Sequence, residues 1–250
     1  QIAVGSRLIM SAYDNGVARL WSTDGTGPGT VEIGPSSITF GPDALGVLAD
    51  GRVVFQVREG TTASMWVSDG TPSGTTLLLS PSNHIQMRTT NTWSTDAVIY
   101  YTGGDGTTGV ELWRTDGTVA GTRLVRDVDP GPPSPELEFL GRAGDFVYFR
   151  ATTIDDGTEL WRVDIRTDVA ELFADLSPGP GSSVVTDVEA LTGNRFVLQA
   201  GEDLFASSGT RGNLQRLNDA STSLPANSLG MLATAGRVVF AAENPATGIE

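Results

Sequence analysis

Cysteine and lysine are both absent from the 250 residues, and histidine occurs once, as His84. Without cysteine there are no disulfide staples, thiol nucleophiles or thiolate metal sites. One imidazole excludes a multi-histidine metal centre. All 16 basic residues are therefore Arg, against 30 acids, for a net charge of −14. Such a chain repels phosphate backbones, so nucleic acid is excluded as a partner. No apolar run reaches bilayer-spanning length, so membrane insertion by a helix of this segment is not expected. The start, Gln1 to Arg7, lacks the charged and apolar regions of a secretory signal. What is present is 39% hydrophobic residues, enough for a core, with 31 Gly and 13 Pro, too many for long helices.

The remaining signal is a repeat. Arg19-Leu20-Trp21-Ser22-Thr23-Asp24-Gly25-Thr26 returns as Met65-Trp66-Val67-Ser68-Asp69-Gly70-Thr71 and as Glu111-Leu112-Trp113-Arg114-Thr115-Asp116-Gly117-Thr118. It persists in weaker form at Glu159-Leu160-Trp161 and Asp203-Leu204-Phe205. The anchors Trp21, Trp66, Trp113, Trp161 and Phe205 stand 45, 47, 48 and 44 residues apart. Each period holds four short apolar segments, A to D, with the Leu-Trp pair on C and a Val/Phe/Tyr-rich B that suits a buried central strand. Four strands in about 45 residues is the size of a propeller blade. The expected fold is all-β, a β-propeller of four-stranded blades, five complete and a sixth partial. The expected organisation is one repeat domain over 1–250, with copies at 1–37, 38–82, 83–133, 134–180, 181–224 and 225–250. Because Gly248-Ile249-Glu250 matches the approach to the Leu-Trp strand, the chain reads as a segment of a longer array.

Residues 111–131 resemble the ELWxxDGT repeat of bacterial proteins: Glu111 to Thr118, Ala120-Gly121-Thr122, Leu124-Val125, Asp127 and Pro130-Gly131. The resemblance runs through five copies, with departures at Asp164–Asp168 and Ser207–Gly212. It implies a repeat array in secreted or surface-attached bacterial proteins, and it brings no catalytic residues.

In an A-B-C-D blade, A–B and C–D connections share one rim, while B–C hairpins and D-to-A crossings share the other. The Asp-Gly-Thr loops at Asp24, Asp69 and Asp116 fall on the first rim and read as structural turns. The second rim collects an acid per hairpin (Asp14, Glu59, Asp105, Asp155 with Asp156, Glu202 with Asp203, and Glu243) and Pro/Ser-rich crossings. It is the expected binding face. The periodic aromatics read as packing between neighbouring sheets. Trp93 lies off the repeat and, with His84 and Arg88, marks the main irregularity and a candidate ligand site. Asp14, Asp105 with Glu111, and Asp155 and Asp156 with Glu159 place carboxylates in Gly-containing turns, candidate ligands for Ca²⁺, the one cofactor considered. No Gly-x-Ser-x-Gly elbow frames a nucleophile, so no catalytic residue is expected and the chain reads as a non-enzyme. The leading expectation is an extracellular or cell-surface scaffold for macromolecular interaction or adhesion, with a protein or glycan partner on a loop rim. The alternatives are a glycan-binding lectin with repeated sites and a polysaccharide-active hydrolase or lyase.

Overall fold

A computed structural model describes residues 1–35, 37–82, 91–104, 109–131, 135–217, 231–234, 237–240, 243–244 and 248–249. The architecture is all-β, built of four-stranded antiparallel propeller blades. Blade 1 comprises β1 (Ile2–Val4), β2 (Arg7–Asp14), β3 (Val17–Thr23) and β4 (Val31–Glu32). Blade 2 comprises β5 (Phe40–Val47), β6 (Val53–Glu59), β7 (Thr62–Ser68) and β8 (Thr76–Ser82). Blade 3 comprises β9 (Thr92–Ser94), β10 (Ile99–Gly103), β11 (Glu111–Thr115) and β12 (Arg123–Arg126). Blade 4 comprises β13 (Glu138–Ala143), β14 (Phe146–Thr153), β15 (Gly157–Asp164) and β16 (Ala170–Ala174). Blade 5 comprises β17 (Val185–Ala190), β18 (Phe196–Ala200), β19 (Asp203–Ser207) and β20 (Leu214–Arg216). Two short pairs follow: β21 (Met231–Thr234) with β22 (Arg237–Phe240), and β23 (Glu243–Asn244) with β24 (Gly248–Ile249). In all five complete blades the strands pair in simple chain order. The chain divides into two compact units, Gln1–Ser134 and Pro135–Glu250.

The Leu-Trp pair shows why the repeat has this form. Adjacent strand residues point to opposite faces of a sheet. Within the first unit, Leu20 of blade 1 and Trp66 of blade 2 join the same core, with Ile9, Ile33, Val53 and Phe55. One blade on, Met65 occupies the leucine position and packs with Trp113 in the next core, alongside Val54, Ile99 and Tyr101. Within the second unit, Leu160 of blade 4 meets Phe205 of blade 5 in a core that holds Tyr148, Phe173, Phe196 and Leu198. In these three pairs the leucine position faces the following blade and the aromatic faces the preceding one. β6 and β18 each supply a core on both faces, and β10 is buried along its whole length. The C–D ladder also shifts register at the same point in three blades, at Met65/Trp66, Leu112/Trp113 and Leu160/Trp161. A bulge there adds local twist as the aromatic enters the core. Inner strands approach closely as well: a Cβ on Gly141 would overlap the Val188 carbonyl of the next blade.

Candidate functional site

The Asp-Gly-Thr loops are closed hydrogen-bond systems. Asp24 Oδ1 accepts from the Thr26 N–H at 2.9 Å and from Thr26 Oγ1 at 2.7 Å. Asp69 does the same with Thr71 at 2.8 and 2.7 Å, and Asp116 with Thr118 at 2.9 and 2.6 Å. The threonine hydroxyl then accepts from the N–H of Gly29, Gly74 or Gly121, each at 3.0 Å. A Cβ on any of these three glycines would fall inside the aspartate carboxyl, so the second Gly is required by close approach. The first Gly of each loop, Gly25, Gly70 or Gly117, has φ between 79° and 89°, a region L side chains rarely adopt. The threonine bonds hold the Asp24 and Asp69 carboxyls below the ordinary carboxylate range. At Asp116 burial pushes upward, but the Thr118 bonds and Arg114 outweigh it.

These loops also join blades. Ser22 Oγ donates to the Gly70 carbonyl at 2.5 Å, and Arg52 Nη1 donates to the Gly117 carbonyl at 3.2 Å. Arg162 Nη1 donates to the Gly209 carbonyl at 2.6 Å. The acceptor recurs while the donor varies. The departures noted in the sequence change these loops in different ways. In blade 4, Asp164 Oδ1 accepts from the Arg166 N–H at 2.8 Å, and Asp168 takes a positive φ of 57°. In blade 5, Ser208 stands at the aspartate position and its hydroxyl lies 3.4 Å from the Thr210 nitrogen.

The opposite rim differs. Asp14 sits beside an Asn15-Gly16 turn with positive φ at both residues and lies 3.5 Å from Arg19 Nε. Asp155 is exposed at the tip of the blade 4 hairpin; Asp156 is half-buried, its N–H donating to Thr153 Oγ1 at 3.1 Å. The hairpins also expose apolar side chains: Tyr13 is 80% and Ile154 75% exposed.

Glu111 and Glu159, at the start of their C strands, turn inward and are fully buried. Glu111 Oε2 accepts from the Val128 N–H at 2.7 Å, and Glu159 Oε2 accepts from the Leu176 N–H at 2.7 Å and from Ser183 Oγ at 2.8 Å. Each carboxylate thus pins its D-to-A crossing to the rim. Burial pushes Glu111 up to about 7, and the nearby charges of Asp127 and Asp129 act the same way. Burial raises Glu159 too, joined by the charge of Asp175.

The carboxylates that act on Glu111 and Glu159 thus include Asp127 and Asp175, at the ends of the D strands. Neither was singled out as a ligand from the sequence. The signal was there: each stands 16 residues after its glutamate. Among the described residues, no group of three or more His, Cys, Asp or Glu is arranged to hold a metal ion. Asp105, His84 and Arg88 lie outside the described residues, and of Glu243 only the backbone is described. Trp93 is half-buried on β9, paired with Tyr100. Trp113 and Trp161 are buried, and Trp21, Trp66 and Phe205 are half-buried. Trp66 Nε1 donates to Ser64 Oγ at 2.9 Å.

No family model matches the chain, and no curated protein matches it. Solved structures are similar in fold. A prolyl endopeptidase is 12% identical, with 97% of this chain and 39% of that chain covered and a TM-score of 0.49. Prolyl oligopeptidase B from Galerina marginata is 14% identical, covering 98% of this chain and 40% of that one, TM-score 0.46. TolB from Acinetobacter baumannii is 10% identical, covering 96% and 61%, TM-score 0.39. The chain therefore spans between about two fifths and three fifths of the proteins it resembles. The blade assignment rests on the sheets and cores described above. No helix among the described residues is long and apolar enough to cross a membrane.

Proposed function

We propose that the chain is a non-catalytic repeat scaffold, of a secreted or surface-attached bacterial protein, that presents its B–C hairpin rim to a protein partner. One observation carries this reading: the two rims use their polar groups differently. The Asp-Gly-Thr loops satisfy their donors and acceptors internally and bond the next blade. The hairpins instead expose large apolar side chains, Tyr13 in one unit and Ile154 in the other, each next to an acid. An apolar anchor beside a charge is the composition of a protein-binding patch. The acids favour a partner surface rich in Arg and Lys. The ELWxxDGT resemblance supports the extracellular setting. Burial or half-burial of the periodic aromatics leaves no row of open rings to serve as repeated sugar platforms.

The test is photo-crosslinking in cells of the source type, with a photoreactive residue at Tyr13, Ile154 or, on the other rim, Val119. Adducts to one protein from Tyr13 or Ile154 and none from Val119 support the reading. Adducts from Val119 alone, or none at all, defeat it. Binding on a glycan array by the purified chain favours the lectin alternative.

A further inference from the structure

We propose that Glu111 with the half-buried Asp127, and Glu159 with the exposed Asp175, form two related sites for a hard cation, Ca²⁺ being the ion their chemistry fits best. Both glutamates are fully buried, and in both only Oε2 is engaged by backbone. Oε1 of Glu111 and Oε1 of Glu159 are enclosed, with no hydrogen-bond donor among the described residues. Asp127 Oδ1 is enclosed in the same way. Thus in blade 3 two carboxylate oxygens, one on each acid, are buried with no donor among the described residues bonded to them. A buried, unanswered carboxylate oxygen is strongly unfavourable, and two like-charged neighbours make it worse. The buried Arg162, by contrast, is answered: 9% exposed, it bonds Glu171 at 2.9 Å and the Gly209 carbonyl.

The five repeats supply an independent argument. Where the position before Leu-Trp is acidic, the position 16 residues on is Asp: Glu111 and Asp127, Glu159 and Asp175, Asp203 and Asp219. Where it is not, the later acid is missing too: Arg19 precedes Pro35 and Ser64 precedes Ser80. Those two replacements are answered locally, Arg19 by Glu32 at 2.9 Å and Ser64 by Glu59 at 2.8 Å. Two acids that repel yet come and go together imply a shared positive partner. In blade 5 that partner is on the chain, since Asp203 is ion-paired with Arg216, and Asp219 lies outside the described residues. In blades 3 and 4 it is the cation.

Hard carboxylate oxygens exclude a soft metal, and Ca²⁺ tolerates the irregular shells that Mg²⁺ does not. Among the described residues neither pair recruits a third acid as ligand, so main-chain carbonyls beside the two acids and water complete the shell. With two charged ligands per site, the affinity falls in the weak range of extracellular modules, about 0.1–1 mM. This site is independent of the hairpin acids Asp14, Asp155 and Asp156, and of the partner surface proposed above.

The experiment is equilibrium dialysis of the chelator-stripped chain against radioactive Ca²⁺, with thermal melting at 0 and 10 mM Ca²⁺ at matched ionic strength. Two ions should bind and the melting midpoint should rise by several degrees, because a ligand held only by the folded state stabilises it. Glu111→Gln should leave one ion and Glu111→Gln/Glu159→Gln none, with the midpoint of the double variant indifferent to Ca²⁺. Glutamine keeps an acceptor for the Val128 and Leu176 N–H groups, and Asp127→Asn/Asp175→Asn tests the same sites through the second acid of each. No bound Ca²⁺ at 10 mM overturns the proposal, as does full binding by the double variant. A melting rise reproduced by NaCl alone, or binding removed by Asp155→Asn/Asp156→Asn instead, overturns it equally.

Discussion

Glu111 and Asp116 are five residues apart on one strand and its loop, yet they live in opposite electrostatic worlds. Asp116 is half-buried, takes two bonds from Thr118 and lies under Gly121, and its carboxyl is held below the ordinary range. Glu111 is fully buried, accepts from the Val128 N–H at Oε2, keeps Oε1 unanswered and is pushed up to about 7. The repeat thus carries two acids with different work. One closes a turn and stabilises as an anion; the other holds a crossing in place and sits uneasily as an anion. Conserving charge within a motif says nothing about whether that charge is comfortable.

The sharpest way to break the comparison is steric. Gly74→Ala puts a methyl where the Asp69 carboxyl lies, so both threonine bonds must go. The expected loss is about 2–3 kcal/mol, read by urea unfolding. Adding Asp69→Ala should remove most of the clash, so the two losses should be far from additive. An additive result would show that the aspartate does not occupy that space.

Next comes the interblade bond. Arg162→Leu removes the guanidinium that lies over the Phe146 and Phe173 rings and leaves the Gly209 carbonyl and Glu171 without their donor. A loss of about 2 kcal/mol is expected, and blade 5 amides should show it first in hydrogen exchange.

The two acids should then respond oppositely to conversion into amides. In chelator, Glu111→Gln should raise stability by about 1 kcal/mol, since it keeps the Val128 bond and removes a buried charge. Asp116→Asn should lower it by a comparable or smaller amount, since it weakens two charge-assisted bonds. Equal signs would erase the distinction drawn here.

Acidity gives a further test. The Asp24, Asp69 and Asp116 carboxyls have folded pKa values below those of the unfolded chain. Their stabilisation is therefore complete above the unfolded value, near 3.8, and is lost as pH falls through the folded values. Melting midpoints between pH 5 and pH 2 should fall less steeply for Asp69→Asn than for the parent. The smallest effect is expected at the hairpin tip: Asp155→Asn should change stability by less than about 0.5 kcal/mol.

Much of this was legible in the chain order of residues. The spacings of 45 and 47 residues between Trp21, Trp66 and Trp113 implied four-strand blades, and the B segments implied strands buried on both faces. The Asp-Gly-Thr loops read as turns because Asp, Gly and Thr have turn chemistry wherever they occur together. The D-strand neighbours of Glu111 were not legible by nearness in sequence, which points to Asp105 in the adjacent hairpin, outside the described residues. In the structure its engaged oxygen reaches Val128, 17 residues on, and the charges acting on it are those of Asp127 and Asp129.

By itself, then, the sequence determined what depends on local geometry and period: strand alternation, turn type, blade length and the opposite-facing Leu-Trp pair. Only the tertiary structure decided which blade each face meets and which acids share an interior. Those outcomes depend on register across the C–D ladder, where a bulge at Leu112/Trp113 or Leu160/Trp161 shifts the pairing. A displacement of one residue there moves a side chain to the other face of the sheet, and no local pattern in the chain reports it.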